Sequence, residues 1–183
     1  MPSIIIVSGP PGAGKTTFAR QLSERYGLMM LHKDGFKETL FDGLGWSDRE
    51  WSKKIGRASY KLMYHVLEAG LAAGNSFVVE SNFSKQHDGP VFQKFRDQHK
   101  ARIIEIVCKC RPEVAFERFK ARAESGKRHP GHLDTDNLEE FRKTLEGWSF
   151  EPIGGEVVLE LDTNDFATMD PSAIFQRLDE MLR

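Results

Sequence analysis

The sequence predicts an α/β fold in which a parallel β-sheet lies between two layers of helices. Three observations indicate this fold: short apolar runs, helical segments that alternate with them, and a glycine-rich loop directly after the first run. The runs, which are strand candidates, cover residues 4–8, 28–32, 77–80, 103–108 and 157–161. Most of them are apolar throughout, which is typical of strands buried on both faces of a parallel sheet.

Capping signals mark the helices between the first three strands. A helical segment follows the glycine-rich loop over residues 15–26. Ser47 and Glu50 have the spacing of a capping box, in which each side chain accepts a hydrogen bond from the backbone N–H of the other residue. A long helix is therefore predicted from this point to Ala73, with Gly74 as the glycine that follows its end.

Prolines mark the later helices, because the first turn of a helix does not need the N–H that proline lacks. Pro90 and Pro112 are therefore each expected in a first turn. Residues 134–148 are predicted to be helical, and Asp170 with Pro171 is expected to begin a last helix.

Length and charge restrict the class of protein. At 183 residues, one domain over residues 1–183 is expected. The 26 Lys and Arg residues against 27 Asp and Glu residues give a formal net charge of -1, which argues against general affinity for nucleic acids or anionic membranes. No apolar run approaches the roughly 20 residues of a membrane helix, and we expect no contact with a membrane.

The N-terminus and the cysteines indicate the compartment. No basic leader precedes the first apolar run, so a secretory signal is not expected. Cys108 and Cys110 lie two residues apart, a spacing that suits neither a disulfide framework nor a zinc site. We expect both to be small apolar residues in a protein of the reducing cytoplasm.

The most specific motif is GPPGAGKT at residues 9–16, which matches G-x-x-x-x-G-K-[ST] at every fixed position. Glycines allow the backbone to wrap an anion and to direct several N–H groups at it, and the start of the following helix adds partial positive charge. Lys15 has the position to bridge β- and γ-phosphates, and the Thr16 hydroxyl to bind Mg²⁺. ATP and Mg²⁺ are the predicted cofactors. The predicted phosphate-binding residues are Gly9, Pro10, Pro11, Gly12, Ala13, Gly14, Lys15, Thr16 and Thr17.

Two classes of nucleotide-binding protein are disfavoured by what the sequence lacks. A GTPase should carry an Asn-Lys-x-Asp guanine-binding motif, and the nearest segment, residues 163–166, lacks the lysine. A mechanical or transport ATPase usually has Asp-Glu after a strand, and none of the strand candidates ends in that pair.

With these features the sequence resembles the small P-loop kinases. That group includes adenylate and gluconate kinases, chloramphenicol phosphotransferase, the zeta toxins and the kinase domain of polynucleotide 5′-hydroxyl kinases. The resemblance covers nearly the whole chain in element order. It implies the three-layer sandwich of a P-loop NTPase, with five parallel strands in the order 2-3-1-4-5. It also implies an acceptor-binding helical insert at about 35–74 and a lid at about 118–135.

The resemblance assigns a catalytic role to Asp34, which follows the second strand in the segment HKDGF. In members that phosphorylate hydroxyls, an aspartate here faces the acceptor and serves as general base. The alternative is an N-cap of a helix over residues 35–41. Catalysis is favoured because the carboxyl end of a strand beside the phosphate-binding loop is where α/β sheets bind ligands.

The resemblance places acceptor or metal contacts after the third strand. In related kinases a carboxylate at the position of Glu80 acts through water on Mg²⁺ or on the acceptor. Aspartate is the usual residue there, so Glu80 departs from the pattern, and a solvated glutamate at the end of a strand is the alternative. Ser81 and Asn82 are candidate acceptor contacts on the same grounds.

Three arginines form the candidate lid. Arg118 and Arg122 share one helix face because they are four residues apart, and Arg128 follows them. The resemblance implies that Arg118 stacks on adenine and that Arg122 and Arg128 bind the transferring phosphate. The alternative is a solvated basic face paired with Glu117 and Glu124.

The candidate insert is rich in aromatic residues and in positive charge, and both have two interpretations. The aromatic residues either stack a ring of the acceptor or form the core of the insert, and core is favoured. They are Phe36, Phe41, Trp46, Trp51, Tyr60 and Tyr64. The basic residues either attract a phosphorylated acceptor or form a solvated face. They are Lys53, Lys54, Arg57 and Lys61.

The sequence therefore predicts an ATP- and Mg²⁺-dependent phosphotransferase that transfers the γ-phosphoryl group to a hydroxyl of a small molecule or of a nucleic-acid 5′ end. Nucleic acid is expected only as such a 5′-hydroxyl acceptor. Two alternatives remain. One is a nucleoside monophosphate kinase, and the other is a nucleotide-switched binding protein or slow ATPase.

Overall fold

A single parallel sheet organises the molecule. The computed structural model describes residues 1–147 and 151–182. Its strands are β1 (Ser3–Ser8), β2 (Met29–His32), β3 (Phe77–Glu80), β4 (Arg102–Lys109) and β5 (Val157–Asp162). They lie in the order β2-β3-β1-β4-β5, and every neighbouring pair is parallel. The predicted fold class and strand order are confirmed.

Helices connect the strands and cover the sheet. The α-helices are α1 (Lys15–Tyr26), α2 (Lys33–Leu44), α3 (Arg49–Ala72), α4 (Lys85–His99), α5 (Pro112–Glu124), α6 (Leu138–Glu146) and α7 (Ser172–Met181). Two short 3₁₀ turns, Pro130–His132 and Thr135–Asn137, lie between α5 and α6. Among the described helices, none has the length and apolar character needed to cross a membrane.

The central strand β1 shows why its sequence is apolar without interruption. Successive side chains of a strand point to opposite faces of a sheet. Ile4 and Ile6 pack in one core with residues of α3 and α4, while Ile5 and Val7 pack in a second core with residues of α1 and α7. All four side chains have 0% exposure, so both faces of β1 are fully covered.

Two of the capping predictions are wrong. The N-cap of α3 is Asp48, not Ser47, and its carboxylate accepts the Trp51 N–H at 2.8 Å. The carboxylate of Asp48, one residue after Ser47, therefore caps the helix in place of the predicted serine. Pro90 lies inside α4 and not in its first turn, because Ser84 begins that helix and accepts the His87 N–H.

Other predicted ends are confirmed. Pro112 is the first residue of α5, and Gly74 follows α3 with a φ of +81°. The last helix, α7, is present, but its N-cap is Pro171 and not Asp170, which accepts the Ser172 N–H at 2.9 Å from one residue further back. The helix predicted over residues 134–148 is shorter, since α6 begins at Leu138, and residue 148 lies outside the described residues.

A buried carboxylate on β4 holds the segment that leads into β5. Glu105 has 0% exposure and accepts backbone N–H bonds from Ile153 at 2.9 Å, from Gly154 at 3.0 Å, and from Gly155. Three donors on one carboxylate satisfy the charge that burial removes from water. Within a strand otherwise rich in isoleucine and valine, this residue fixes the path of a neighbouring loop.

Glu105→Gln is expected to lower the free energy of unfolding by about 1–3 kcal/mol, since an amide loses the charge and places N–H groups against N–H donors. Urea unfolding followed by circular dichroism measures the change. Glu156→Gln is the matched control, because Glu156 is exposed just before β5. Equal denaturation midpoints for the two variants would contradict this role of Glu105.

Candidate active site

The candidate site is a cleft at the carboxyl ends of the strands. In the sheet register, Glu80 at the end of β3 is paired with Val7 of β1 and His32 of β2, so the segments that follow these three strands meet. The cleft is lined by Pro11, Gly12, Gly14, Lys15, Thr16, Thr17, Lys33, Asp34, Tyr60, Glu80, Ser81, Asn82, Arg118, Arg122 and Phe166. Most of the predicted site residues therefore lie around one space.

The phosphate-binding loop (residues 9–16) needs its glycines for packing as well as for wrapping an anion. Gly12 has a φ of +84°, and a Cβ there would lie 2.2 Å from the Ala115 carbonyl oxygen. A Cβ at Gly9 would lie 2.5 Å from the Cys108 carbonyl oxygen. The loop is therefore pressed against the start of α5 and the end of β4, and larger residues would displace it.

Lys15 is buried at the start of α1, and its Nζ donates to the Pro10 carbonyl at 2.9 Å. Burial lowers the pKa of Lys15, and the negative charge of Glu80 opposes that effect only in part. The amine is thus held over the loop, and no carboxylate of residues 1–147 or 151–182 is bonded to it. A bound phosphate group would be the negatively charged partner that stabilises this ammonium.

Thr16 and Glu80 lie together at the end of β3. The Thr16 hydroxyl donates to Glu80 Oε2 at 3.0 Å, and Glu80 is 6% exposed. Glu80 is therefore not the solvated glutamate that was the alternative. A hydroxyl and a carboxylate are hard oxygen ligands, and Mg²⁺ typically takes one or two of these from a protein, with the rest from water and phosphates. These residues fit Mg²⁺, although no group of three or more metal-binding side chains occurs among the described residues.

Asp34, the second residue of α2, faces the cleft between two cations. Its Oδ1 lies 3.1 Å from Lys33 Nζ, and its Oδ2 accepts from Arg128 Nη2 at 2.8 Å. Burial alone would raise the pKa of Asp34, but the charges of Lys33 and Arg128 outweigh it and hold that pKa well below its usual range. The side chain is therefore an ionised carboxylate. The N-cap of α2 is His32, so capping does not account for Asp34.

Arg128 pairs with Asp34 and with Asp134, and it lies behind Asp34 and not among the residues that line the cleft. Its Nη2 also lies 3.1 Å from His132 Nδ1, and His132 Nε2 lies 2.9 Å from Glu38 Oε1. This chain of contacts links the segment 128–134 to α2. In this structure Arg128 is bonded to the carboxylate of Asp34, and its contact with the transferring phosphate stays a prediction.

Arg118 and Arg122, one turn apart on α5, line the cleft together. Arg118 donates to the carbonyls of Thr163 at 2.6 Å and Asn164 at 2.9 Å, beyond β5. Arg122 forms no ion pair with any described carboxylate, and burial lowers its pKa. The alternative paired a solvated basic face with Glu124. In the structure Glu124 lies beside Lys120, and Arg122 lines the cleft.

A family model described as an AAA domain (AAA_33) matches residues 4–148, which is most of the chain. The chain belongs to this family. Its match covers the phosphate-binding loop, Asp34, Glu80 and the three lid arginines. No curated protein sequence matches the chain significantly.

Solved structures support the same family assignment. A candidate kinase from Chloroflexus aurantiacus is 37% identical over 100% of this chain and 99% of its own, with a TM-score of 0.90. A gluconokinase from Sinorhizobium meliloti is 19% identical over 99% of this chain and 95% of its own, with a TM-score of 0.54. A shikimate kinase from Acinetobacter baumannii is 16% identical over 100% and 93%, with a TM-score of 0.51. The last two share the fold. The predicted small P-loop kinase family and enzyme class are confirmed.

In this AAA-domain protein, the aromatic residues of the insert (35–74) divide between core and cleft. Phe36, Tyr60 and Tyr64 pack against the core formed by α3, α4 and the sheet, as favoured from the sequence. Tyr60 also lines the cleft, where its hydroxyl lies 2.7 Å from Ser81 Oγ. Trp46 is 49% exposed and lies outside the cleft lining.

The basic residues expected to attract an acceptor do not line the cleft. Lys53, Lys54, Arg57 and Lys61 are exposed on α3. Besides Lys15 of the phosphate-binding loop, Lys33 at the start of α2 lines the cleft, and the sequence reasoning did not select Lys33. Asn82 is exposed and lines the cleft, whereas Ser81 is buried with its hydroxyl engaged by Tyr60. Asn82 is thus the better placed of the two candidate acceptor contacts.

His132 links the candidate lid (118–135) to α2 in its neutral form. Since Glu38 can only accept, the proton lies on Nε2, and Nδ1 accepts from Arg128. Burial, aided by the charge of Arg128, lowers the pKa of His132 to about 3. The unfolded chain binds a proton here near pH 6.5 and the folded chain does not, so folding stability should fall as the pH drops from about 6.5 towards 3.

This contribution reaches at most about 1.4 kcal/mol per pH unit. We expect His132→Gln to be less stable than the parent at pH 7 but to lose less stability between pH 6.5 and pH 4.5, in urea unfolding at each pH. His65→Gln is the control, because His65 is exposed. A pH dependence of stability that is the same in His132→Gln and in the parent would contradict the neutral buried imidazole.

Proposed function

We propose that the protein is an ATP- and Mg²⁺-dependent kinase that transfers the γ-phosphoryl group of ATP to a hydroxyl of a small molecule. The observation that carries the proposal is that one cleft is lined by both the phosphate-binding loop and the ionised carboxylate of Asp34. Phosphoryl transfer needs these two parts close together, since its catalysis consists mainly of positioning and charge stabilisation.

The charges that line the cleft indicate which of its residues would bind ATP, the phosphoryl donor. The backbone of residues 9–16 and the Lys15 ammonium are proposed to bind the phosphates. Thr17 and Arg118 line the same cleft and are proposed to contact the nucleoside. Thr16 and Glu80 would hold Mg²⁺, which neutralises phosphate charge and orients the terminal group when it is bound. Arg122, unpaired with any described carboxylate, supplies positive charge to the transferring group.

The acceptor side is formed by the insert and by the end of β3. Asp34 orients the acceptor hydroxyl and accepts its proton as the bond to phosphorus forms. Arg128 is a positioning residue in this scheme, because it bonds Oδ2 of that carboxylate and does not line the cleft itself. Asn82 and Lys33 line the same wall and are proposed to contact the acceptor. Residues 118–135 act as the lid that excludes water.

A small acceptor is favoured over a nucleic-acid 5′ end. The exposed lysines of α3 do not line the cleft, and the net charge of the chain is -1. A phosphate backbone is usually bound through several lysine and arginine contacts. The structures named gluconokinase and shikimate kinase, which share this fold, also support a small acceptor.

Acceptor-stimulated ADP release tests the proposal. Sugars, sugar acids, nucleosides, antibiotics, nucleoside monophosphates and 5′-hydroxyl oligonucleotides would each be added to enzyme with ATP and Mg²⁺, and product phosphorylation would be confirmed by mass spectrometry. At least one small hydroxyl compound should raise turnover well above the hydrolysis background. If none does while ATP binds, the protein is better described as a nucleotide-switched binding protein or slow ATPase.

A further inference from the structure

An aromatic side chain covers the arginine that is proposed to stack on the nucleotide base. The guanidinium carbon of Arg118 lies 3.7 Å from the centroid of the Phe166 ring. Both residues line the cleft, and Phe166 follows β5 by four residues. The stacking contact that a base would make with Arg118 is thus already made by a side chain of the protein.

Arg118 has little freedom to present another face. Its Nη1 and Nη2 donate to the Thr163 and Asn164 carbonyls, and Nη1 also lies 3.7 Å from Cys110 Sγ. The plane of the guanidinium is therefore fixed by groups at its edge, and its π face remains for stacking. Phe166, which lines the cleft together with Arg118, stacks on one face of this plane.

Phe166 also reaches the N-terminal end of α1. A Cβ added at Gly14 would lie 2.6 Å from Phe166 Cε1, so the ring passes directly over this glycine. Gly14 is the residue before Lys15, and it ends the part of the loop that wraps the phosphates. The ring therefore spans the gap between Arg118 and the phosphate-binding loop, where the nucleoside of a bound triphosphate must lie.

The ring is not fixed by burial. Phe166 is 49% exposed, which makes it one of the few large apolar side chains at the surface of the described chain. An exposed side chain changes rotamer on a short timescale and at small cost. Its contact with Arg118 is the stacking interaction that a competing ring would have to replace.

We propose that Phe166 occupies the position of the nucleotide base on Arg118, and that a base must displace it in order to bind. Phe166 is then a specificity-determining residue, since a base that stacks weakly on Arg118 cannot compete with it and a purine can. This inference rests on the proposed function, because it assumes that residues 9–16 bind a triphosphate. It concerns the base alone and makes no change at the phosphates.

Calorimetric titration of ATP and of inorganic tripolyphosphate separates the base from the phosphates. A partly exposed cation–π contact corresponds to about 2- to 5-fold in an equilibrium constant. Phe166→Ala should therefore bind ATP about 2- to 5-fold more tightly than the parent, with unchanged affinity for tripolyphosphate. Met29→Ala controls for truncation of an exposed apolar side chain, since Met29 is 61% exposed on β2. It should change neither affinity.

Two further variants test whether the gain in ATP affinity depends on stacking against Arg118. Phe166→Trp keeps an aromatic ring on Arg118 and should show no gain in ATP affinity. In an Arg118→Ala background, Phe166→Ala should also give no gain, because the shared stacking face is gone. A gain that persists without Arg118 would overturn the proposed competition.

The other outcomes are equally decisive. Weaker ATP binding by Phe166→Ala would show that the ring is a platform for the base, and unchanged binding would show that it lies outside the base position. An equal gain in affinity for ATP and for tripolyphosphate in Phe166→Ala would show that the ring affects binding of the phosphates and not of the base. If the parent protein binds neither ligand, the proposed function fails and this inference fails with it. If tripolyphosphate binds normally and only the ATP result differs, the inference alone is wrong.

Discussion

Asp34→Asn is expected to lower kcat for phosphorylation of the acceptor by about 10²–10⁴-fold, with little change in ATP affinity. The asparagine has nearly the same shape, but it carries no charge and cannot take the proton of the acceptor hydroxyl. The carboxylate is ionised in the folded protein because Lys33 and Arg128 flank it at 3.1 and 2.8 Å. Steady-state kinetics with the best acceptor, together with ATP titration, measure both quantities.

Asp134→Asn is the matched control for this experiment. Asp134 pairs with the same guanidinium of Arg128 but does not line the cleft. Loss of Asp134 should therefore loosen the lid contact and reduce kcat far less than loss of Asp34. Equal losses in the two variants would mean that Asp34 acts only by holding the lid.

An unchanged kcat in Asp34→Asn would favour the nucleoside monophosphate kinase instead, because an acceptor that is already an anion needs no base. The pH profile gives a second readout. Because Lys33 and Arg128 hold the pKa of Asp34 well below its usual range, kcat/KM should show no loss from protonation of this group as the pH falls towards 4.

The fold could be predicted because its signals are local. The apolar residues of β1 are continuous because both faces of that strand are covered. The phosphate-binding loop is recognisable because glycine, lysine and threonine are required at fixed spacing by the shape of a phosphate chain. The strand order was implied by family resemblance. Burial patterns alone do not order the strands of a sheet.

The contacts that complete the site could not be predicted in the same way. Arg128 and Asp34 are separated by 94 residues, and nothing in either local segment indicates that they pair. Arg128 looked like a phosphate ligand because arginine suits both partners equally. Phe166 was overlooked because an aromatic residue in a polar loop has no period that marks it. Glu105 was overlooked for the opposite reason, since an apolar strand gives no hint that its one carboxylate is satisfied by a distant loop.

Errors at helix ends had a simpler cause. Ser47 and Asp48 are adjacent residues that both cap helices well, and the choice between them depends on where the preceding chain leaves α2. Pro90 does not mark a helix start, because it lies in α4 beyond the first turn, the one place in a helix where a missing N–H costs no intrahelical hydrogen bond. Asp88, near the N-terminus of α4, accepts the Ser84 N–H at 2.6 Å, and this bond fixes the N-terminus of the helix.

Lys15→Ala should abolish the thermal stabilisation that ATP confers, while the ligand-free protein remains at least as stable as the parent. The Lys15 ammonium is buried and, within the described part of the chain, its hydrogen-bond partner is the Pro10 carbonyl, so its removal relieves a desolvated charge in the absence of phosphate. With ATP at about 100 times its dissociation constant, binding stabilises the parent by about 2.7 kcal/mol. For a chain of this size that corresponds to about 5–10 °C in Tm.

Lys33→Ala is the control for Lys15→Ala, because Lys33 lines the same cleft from the start of α2 and is assigned to the acceptor. It should retain most of the ATP-dependent rise in Tm while impairing turnover. Differential scanning fluorimetry with and without ATP and Mg²⁺ measures both variants. A Lys15→Ala protein that keeps the full ATP shift would mean that the triphosphate lies elsewhere. The roles given to Thr16, Glu80 and Asp34 all depend on that position, so they would fail together.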